Sequence, residues 1–413
     1  MNDFLKGNFS VKRPIKEAAP AKDALKDSFK EEYRRKAIAS VGGSMVFVEM
    51  DQLIWDGDAP ADAKKYPPKM AVKTDPFAEL VDKIGGIGYE LHRETLLRNA
   101  KRNAPLAVRS VKQLSPLDEK KSRSVIVISA GPSVRRTRAI ERVLEARFSG
   151  TVIAADGSYA ACLRAGLIPD FVVTLDPHKT RVVRWFGDPR FEEHTAHDDY
   201  YDRQDLDVAA RDNAVRRNFD DMALIDKHAP KTTAIVASSA PETVVDRIVQ
   251  AGFRTYWWHP LVDDPTKPES LTRALHAIQP LPCLATGGTV GTAAWMFALQ
   301  ILKPRLLAVT GMDLGYYPDL PIEKTQTYYE LLAITGSAER VQDYITSVVF
   351  PLTGETFKTD PTYFWYRKNF LHLAKRAPMR TLNCSEAGTL FGDNIDCVRL
   401  DDFFKLTEDM NHG

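Results

Sequence analysis

The chain has 413 residues, with 56 lysines and arginines against 55 aspartates and glutamates. This near-neutral balance gives no whole-chain attraction to nucleic acid, an anionic membrane surface or an acidic substrate, so any electrostatic site must be local. The length exceeds a single core, which leads to the expectation of a main domain with an accessory region.

The first residues lack the apolar run of a signal peptide, and the most apolar window, 293–302, is shorter than a bilayer requires, so no membrane span is expected. Cys162, Cys283, Cys384 and Cys397 are scattered without C-x-x-C spacing. They suggest neither a zinc knuckle nor a disulfide framework, in keeping with a reducing cytoplasm. Residues 1–36 are charged, carry Pro14 and Pro20, and read as a flexible arm. An accessory region at 37–120 follows, with a proline-rich stretch at 59–68 and a helical pattern from Pro76 to Asn103.

From Ser124 the texture becomes short β-branched runs separated by glycine-bearing turns and helical windows. Strands are expected at 125–128, 151–155, 171–175, 233–237, 254–258 and 305–310. Helices are expected at 135–147, 159–165, 241–250 and 289–302. This alternation predicts an α/β fold, a Rossmann-like wound and mostly parallel sheet with helices on both faces, over 121–405 with a short tail at 406–413. A stretch dense in Asp and Arg at 187–230 interrupts the rhythm and is expected to be a lid or an interface.

Several strand ends carry residues with chemistry. The first strand runs into Gly131-Pro132-Ser133, where a glycine permits close approach, a proline pre-sets the first helical turn and a serine can cap it. Such a turn either cradles an anion with free amides or is a plain tight connection. The next strand ends in Asp156-Gly157, a carboxylate placed to bind a ribose or base, or to cap a helix. The third ends in Asp176-Pro177-His178, and these loops converge on one edge, where ligands of open parallel sheets bind. Thr286-Gly287-Gly288-Thr289 opens a helix and forms a second candidate anion cradle, with tight glycine packing as its alternative. Asp313 then joins the same edge as a carboxylate for a metal, a hydroxyl or an amine.

The order strand-Gly131-Pro132-Ser133-helix, Ala155-Asp156-Gly157-Ser158, Gly166-Leu167-Ile168-Pro169-Asp170-Phe171 and Leu175-Asp176 resembles the domain shared by archaeal-type 6-hydroxymethylpterin diphosphokinases and bacterial motility accessory factors. Thr286-Gly287-Gly288-Thr289 and Gly311-Met312-Asp313-Leu314 are similar to its second half. Residues Asn383-Cys384-Ser385-Glu386-Ala387-Gly388 resemble a motility-accessory-factor segment, with Ala387 in place of a glycine. The pattern is also similar to bacterial CMP-sialic-acid-dependent sialyltransferases, with Ala130 where that family has an asparagine.

The resemblance implies a nucleotide-dependent transferase. One branch transfers a nonulosonic acid from CMP to a hydroxyl of flagellin or another protein acceptor. The other moves a diphosphate from ATP with Mg²⁺. For glycosyl transfer, His178 or His259 would take the acceptor's proton, Asp313 would assist, and Asn383 and Glu386 would meet the acceptor or sugar. Gly131 to Ser133, Asp156, Gly157, Asp176 and Thr286 to Thr289 would hold the nucleotide and its phosphates. For diphosphate transfer, Asp156, Asp176 and Asp313 would be the metal ligands. A third reading is a non-catalytic nucleotide-binding scaffold whose charged 187–230 stretch is its partner surface.

Overall fold

The computed structural model describes residues 53–57, 76–116, 123–177, 183–195 and 208–412. The arm expected at 1–36, His178 and the acidic run at 198–205 lie outside the described residues. The strands are β1 (Ile54–Trp55), β2 (Ser124–Ile128), β3 (Thr151–Ala155), β4 (Phe171–Thr174), β5 (Thr233–Ala237), β6 (Arg254–Leu261), β7 (Cys283–Ala285), β8 (Leu306–Thr310), β9 (Thr346–Val349), β10 (Thr356–Thr359), β11 (Thr381–Asn383) and β12 (Ile395–Cys397). Ten of them form one sheet in the order β1-β7-β6-β5-β4-β3-β2-β8-β11-β12, while β9 and β10 make a separate hairpin. Only β1 runs antiparallel, against β7, and every other pairing in the large sheet is parallel. The expected wound α/β fold is the one observed.

The helices are α1 (Pro76–Asn103), α2 (Ser133–Arg136), α3 (Ala139–Glu145), α4 (Asp156–Arg164), α5 (Phe191–Thr195), α6 (Val208–His228), α7 (Glu242–Ala251), α8 (Leu271–Ile278), α9 (Val290–Phe297), α10 (Gln326–Thr335), α11 (Ala338–Val341), α12 (Pro361–Ala374) and α13 (Leu400–His412). Among the described residues no helix is long and apolar enough to cross a membrane.

Alternation along the strands sorts the core into two layers, because successive side chains point to opposite faces. Val125, Val127, Ile153, Val173, Ile235 and Val309 pack under α9 and α12. Ile126, Ile128, Val152, Val172, Val236 and Ala308 pack on the other face with residues of α3, α4, α7 and α13. Every residue of β2 is buried, which is why that strand reads as a continuous apolar run instead of an alternating one.

Three departures have physical causes. The helix expected at 135–147 breaks at Arg138, which takes a left-handed φ of 54° and separates α2 from α3. Half of the 187–230 stretch is the crossover helix between β4 and β5. There α6 buries Ile225 and is tied by Asp221 to Arg164 of α4 and by Asp226 to Arg247 of α7. Strand β6 continues past Trp258 to Leu261, because β7 pairs with His259, Pro260 and Leu261. The β5 ladder ends at Ala237 opposite Trp258, so the missing N–H of Pro260 on that side breaks no ladder bond.

Candidate functional site

Strand β2 has β3 on one side and β8 on the other, so the chain crosses from β2 toward β3 and from β8 toward β11, and the point where the order reverses is where wound sheets bind ligands outside the carboxyl ends of their strands. The loops after β2 and β8 meet there. The Gly131 amide donates to the Gly311 carbonyl at 2.8 Å, and the Ser133 amide donates to Asp313 Oδ2 at 2.8 Å. The Ser133 hydroxyl donates to the other carboxylate oxygen of Asp313. Two amides expected to cradle a phosphate are therefore spent on joining the two loops. Asp313 reaches the sheet edge as a clamp, 3% exposed, and burial pushes its carboxyl up to about 6 against the opposing pull of Ser133 and Arg136.

Glycine at position 131 is a demand of that junction. A β-carbon there would overlap the Gly311 carbonyl oxygen and lie 2.8 Å from the Asp313 carboxyl carbon. Gly131→Ala is expected to destabilise the protein by about 1–3 kcal/mol through this overpacking, measured as a lower urea midpoint at unchanged slope.

The neighbouring strands supply a second cluster. Asp156 begins α4 directly after β3, is 5% exposed, and accepts from the Gly157 amide at 2.7 Å and the Thr174 hydroxyl at 3.0 Å. Burial raises its carboxyl to about 7. Thr174 opposes that rise, the charge of Asp176 adds to it, and Gly157 and Arg184 oppose it. Asp176, half-buried, lies just beyond β4. A β-carbon at Gly157 would sit 3.0 Å from Ala130 and 3.6 Å from the Trp185 ring, whose face carries the Arg184 guanidinium at 4.0 Å. The edge from β2 to β4 thus gathers two carboxylates, a cation and an indole. The Ser129 hydroxyl just past β2 is buried against Gly291 of α9, with no hydrogen-bond partner among the described residues.

The remaining candidates take other places. His259 lies within β6, 1% exposed, with Nδ1 bonded to the Ser238 hydroxyl at 2.6 Å and Nε2 to the Gln279 carbonyl at 2.8 Å. Burial lowers its ring to about 4, and neither nitrogen is left to receive an acceptor's proton. The expectation of a base at this position is corrected by the longer strand. Thr286 accepts from the Gly288 amide and Thr289 caps α9, accepting from the Thr292 amide. Gly288, at φ 87°, presses on Trp365 and Tyr366 of α12, where a β-carbon would come within 2.7 Å of either ring. Asn383 braces its own loop through the Ser385 amide and the Leu390 carbonyl. Glu386 pairs with Arg142 and accepts from the Leu400 amide at the start of α13. Both residues hold the far side of the sheet together.

Sequence reasoning missed the contribution of α1. Asn99 donates to the Ser239 carbonyl at 2.8 Å, and Asn103 donates to the carbonyls of Ser238 and Ala240. These bonds lay the helix on the loop following β5, at the carboxyl edge. The signal was present as asparagines at helical spacing beside a buried Leu96, but polar residues in an apolar stripe do not name their partners. Among the described residues no three His, Cys, Asp or Glu side chains are grouped to hold a metal ion.

Comparison with known proteins bears on this edge. No curated protein matches the chain. Among solved structures, one with which it aligns is the MAf glycosyltransferase from Magnetospirillum magneticum AMB-1, at 16% identity and a TM-score of 0.44. The alignment covers 81% of this chain and 44% of that one, so the present chain spans less than half the length of that protein. Residues 94–192 match the family model described as 6-hydroxymethylpterin diphosphokinase MptE-like. The matched segment runs from within α1 into α5 and contains the loop after β2, Asp156 and Asp176.

Proposed function

We propose that the chain is a nucleotide-dependent transferase that moves a group from its donor onto a hydroxyl. The specific form is glycosyl transfer from a CMP-activated nonulosonic acid to a protein hydroxyl, with flagellin as one acceptor of that kind. The observation that carries the reading is Asp156. It is buried at the carboxyl end of the strand beside the switch point, has its carboxyl near neutrality, and faces the charge of Asp176. A carboxyl in that position binds a ribose hydroxyl in wound sheets, and a strongly perturbed one in a cleft is a candidate functional group.

In this reading the chain's own groups divide the work. Asp156 fixes the nucleotide through its hydroxyls, and Arg184, whose charge acts on Asp156, supplies a cation for the growing charge of the leaving phosphate. The sequence resemblance to CMP-dependent transferases supports cytidine.

A second reading, ATP-dependent diphosphate transfer, is favoured by the description of the matched family and by the successive strand ends that deliver Asp156 and Asp176. Those two carboxylates fit a Mg²⁺ ion held jointly with substrate phosphates, which would neutralise the charge of the transferred group. Asp313 instead joins the loops after β2 and β8 through the Ser133 amide and hydroxyl.

A thermal-shift panel of CMP, CDP, ATP, GTP and UDP, each with and without Mg²⁺, separates the readings. Stabilisation by CMP without metal is the expected result. Stabilisation by ATP alone and only with Mg²⁺ would replace glycosyl by diphosphate transfer. No shift with any nucleotide would count against both transferase readings.

A further inference from the structure

The segment between β8 and β11 carries the hairpin of β9 and β10, whose hydrogen bonds leave one edge open. Thr346 stands opposite Thr359, Ser347 opposite Lys358, Val348 opposite Phe357 and Val349 opposite Thr356. Lys358 spends both of its main-chain groups on Tyr316, donating to that carbonyl at 3.0 Å and accepting from that amide at 2.7 Å. Bonded and unbonded pairs alternate along an antiparallel ladder, so β10 bonds β9 at Thr346 and Val348, and just past the strand the Phe350 amide donates to the Glu355 carbonyl. The amides and carbonyls of Ser347 and Val349 therefore point away from β10. Among the described residues no strand lies on that side.

The side chains obey the same alternation. Phe350 and Phe357 face inward and fill a small core with Tyr317 and Ala387, whereas Ser347 and Val349 face solvent, Val349 being 57% exposed. From Tyr344 to Gly354 there is no charged residue, and β9 itself contains no proline. The outer strands of the large sheet are guarded differently: β1 has two residues, and β12 has three, with Asp396 ion-paired to Arg380. Short strands and charges of that kind blunt an edge, and β9 has no such charge. An uncharged edge with an exposed valine is a template for another strand.

We propose that the open edge of β9 pairs with the same edge of a second copy of this chain, in an antiparallel, two-fold dimer. Ser347 of each copy stands opposite Val349 of the other, with Val348 at the axis. In this register every outward amide donates across the axis and every outward carbonyl accepts, because the two-fold operation exchanges the two residues whose main-chain groups are open. No like charges meet, since the segment carries none, and each Val349 side chain is covered by Ser347 of the other copy. The far edge of each hairpin is already taken by Tyr316, so the pairing closes at two copies and does not propagate. A contact of one short strand makes a weak, reversible dimer. The pairing is independent of the transferase reading.

Sedimentation velocity of the full chain over roughly 1–100 µM, the range that suits so small an interface, is expected to show the wild type passing from monomer to dimer. Val349→Pro removes an outward amide that no bond within the chain uses, and Val349→Lys sets like charges beside the axis. Each should raise the dissociation constant about tenfold or more, while the urea midpoint at low concentration stays at the wild-type value. Hydrogen exchange over residues 346–350 needs no variant for its main readout: it should slow several-fold as the wild-type concentration rises, and should not do so in Val349→Lys. A wild type that is monomeric throughout overturns the proposal, as does a dimer that both variants leave intact. A dimer whose exchange at 346–350 ignores concentration overturns it too. If the chain stays monomeric and an added extended peptide slows that exchange, the edge belongs to a foreign strand and the self-pairing is again overturned.

Discussion

Asp156→Asn is expected to abolish nucleotide binding and, at the same time, to make the protein more stable above pH 7. The native carboxyl titrates at about 7 because burial disfavours its charge. Between the ordinary carboxylate range and about pH 7 the native state therefore holds a proton that the unfolded chain has lost. Stability from this group is fully present at low pH, falls as pH rises through that window, and is gone above it. The cost of keeping a charged Asp156 buried at pH 8 is about 4 kcal/mol at most. Asparagine removes that cost and still offers an oxygen to the Gly157 amide and an amide group to the Thr174 hydroxyl, whose oxygen can accept. Urea unfolding at pH 5 and pH 8 checks this, since the wild type should lose stability between the two and Asp156→Asn should lose much less. Gaining stability while losing ligand is the mark of a group kept for function.

Asp313 predicts the opposite pairing. Asp313→Ala leaves the Ser133 amide and hydroxyl without their acceptor in a buried junction, and the variant is expected to lose about 3 kcal/mol or more. The loops after β2 and β8 would separate, so any loss of nucleotide binding would accompany unfolding instead of preceding it. Asp313→Asn keeps an acceptor for the Ser133 amide and should lose far less. Because burial also raises this carboxyl, to about 6, the wild type carries a second decline in stability as pH rises toward 6, which Asp313→Asn should remove. Calorimetric unfolding across pH 4–8 reads both effects.

These two aspartates show how far the sequence carries. Both are legible as carboxylates delivered by strand ends, because the runs preceding them, residues 151–155 and 306–310, are apolar and β-branched enough to read as buried strands. Their different roles were not legible, since the choice between clamp and binding group depends on what Ser133 and Thr174 reach across the sheet. The glycines were likewise visible as positions of close approach or tight packing, but what they pack against was not. Gly131 serves the approach of two loops, and Gly288 makes room for Trp365 and Tyr366, neither of which is near it in sequence.

Short elements fared worst. Strands β7, β11 and β12 span three residues each and lack a run long enough to show a period. Missing β7 placed His259 beyond a strand end, although it sits inside β6 with both nitrogens bonded. Helix α1 was read correctly from Pro76 to Asn103, yet its contribution to the site depends on which loop Asn99 and Asn103 grip. That information is carried by the carbonyls of residues more than a hundred positions away.

The central claim is that the edge from β2 to β4 binds a nucleotide through Asp156. Isothermal titration of CMP without metal, and of ATP with Mg²⁺, into the wild type and Asp156→Asn at pH 8 tests it most directly. Saturable binding of CMP to the wild type, and none to an Asp156→Asn protein that unfolds at higher urea, is the predicted result. Equal nucleotide affinity in the two proteins would place the binding site elsewhere and contradict the account.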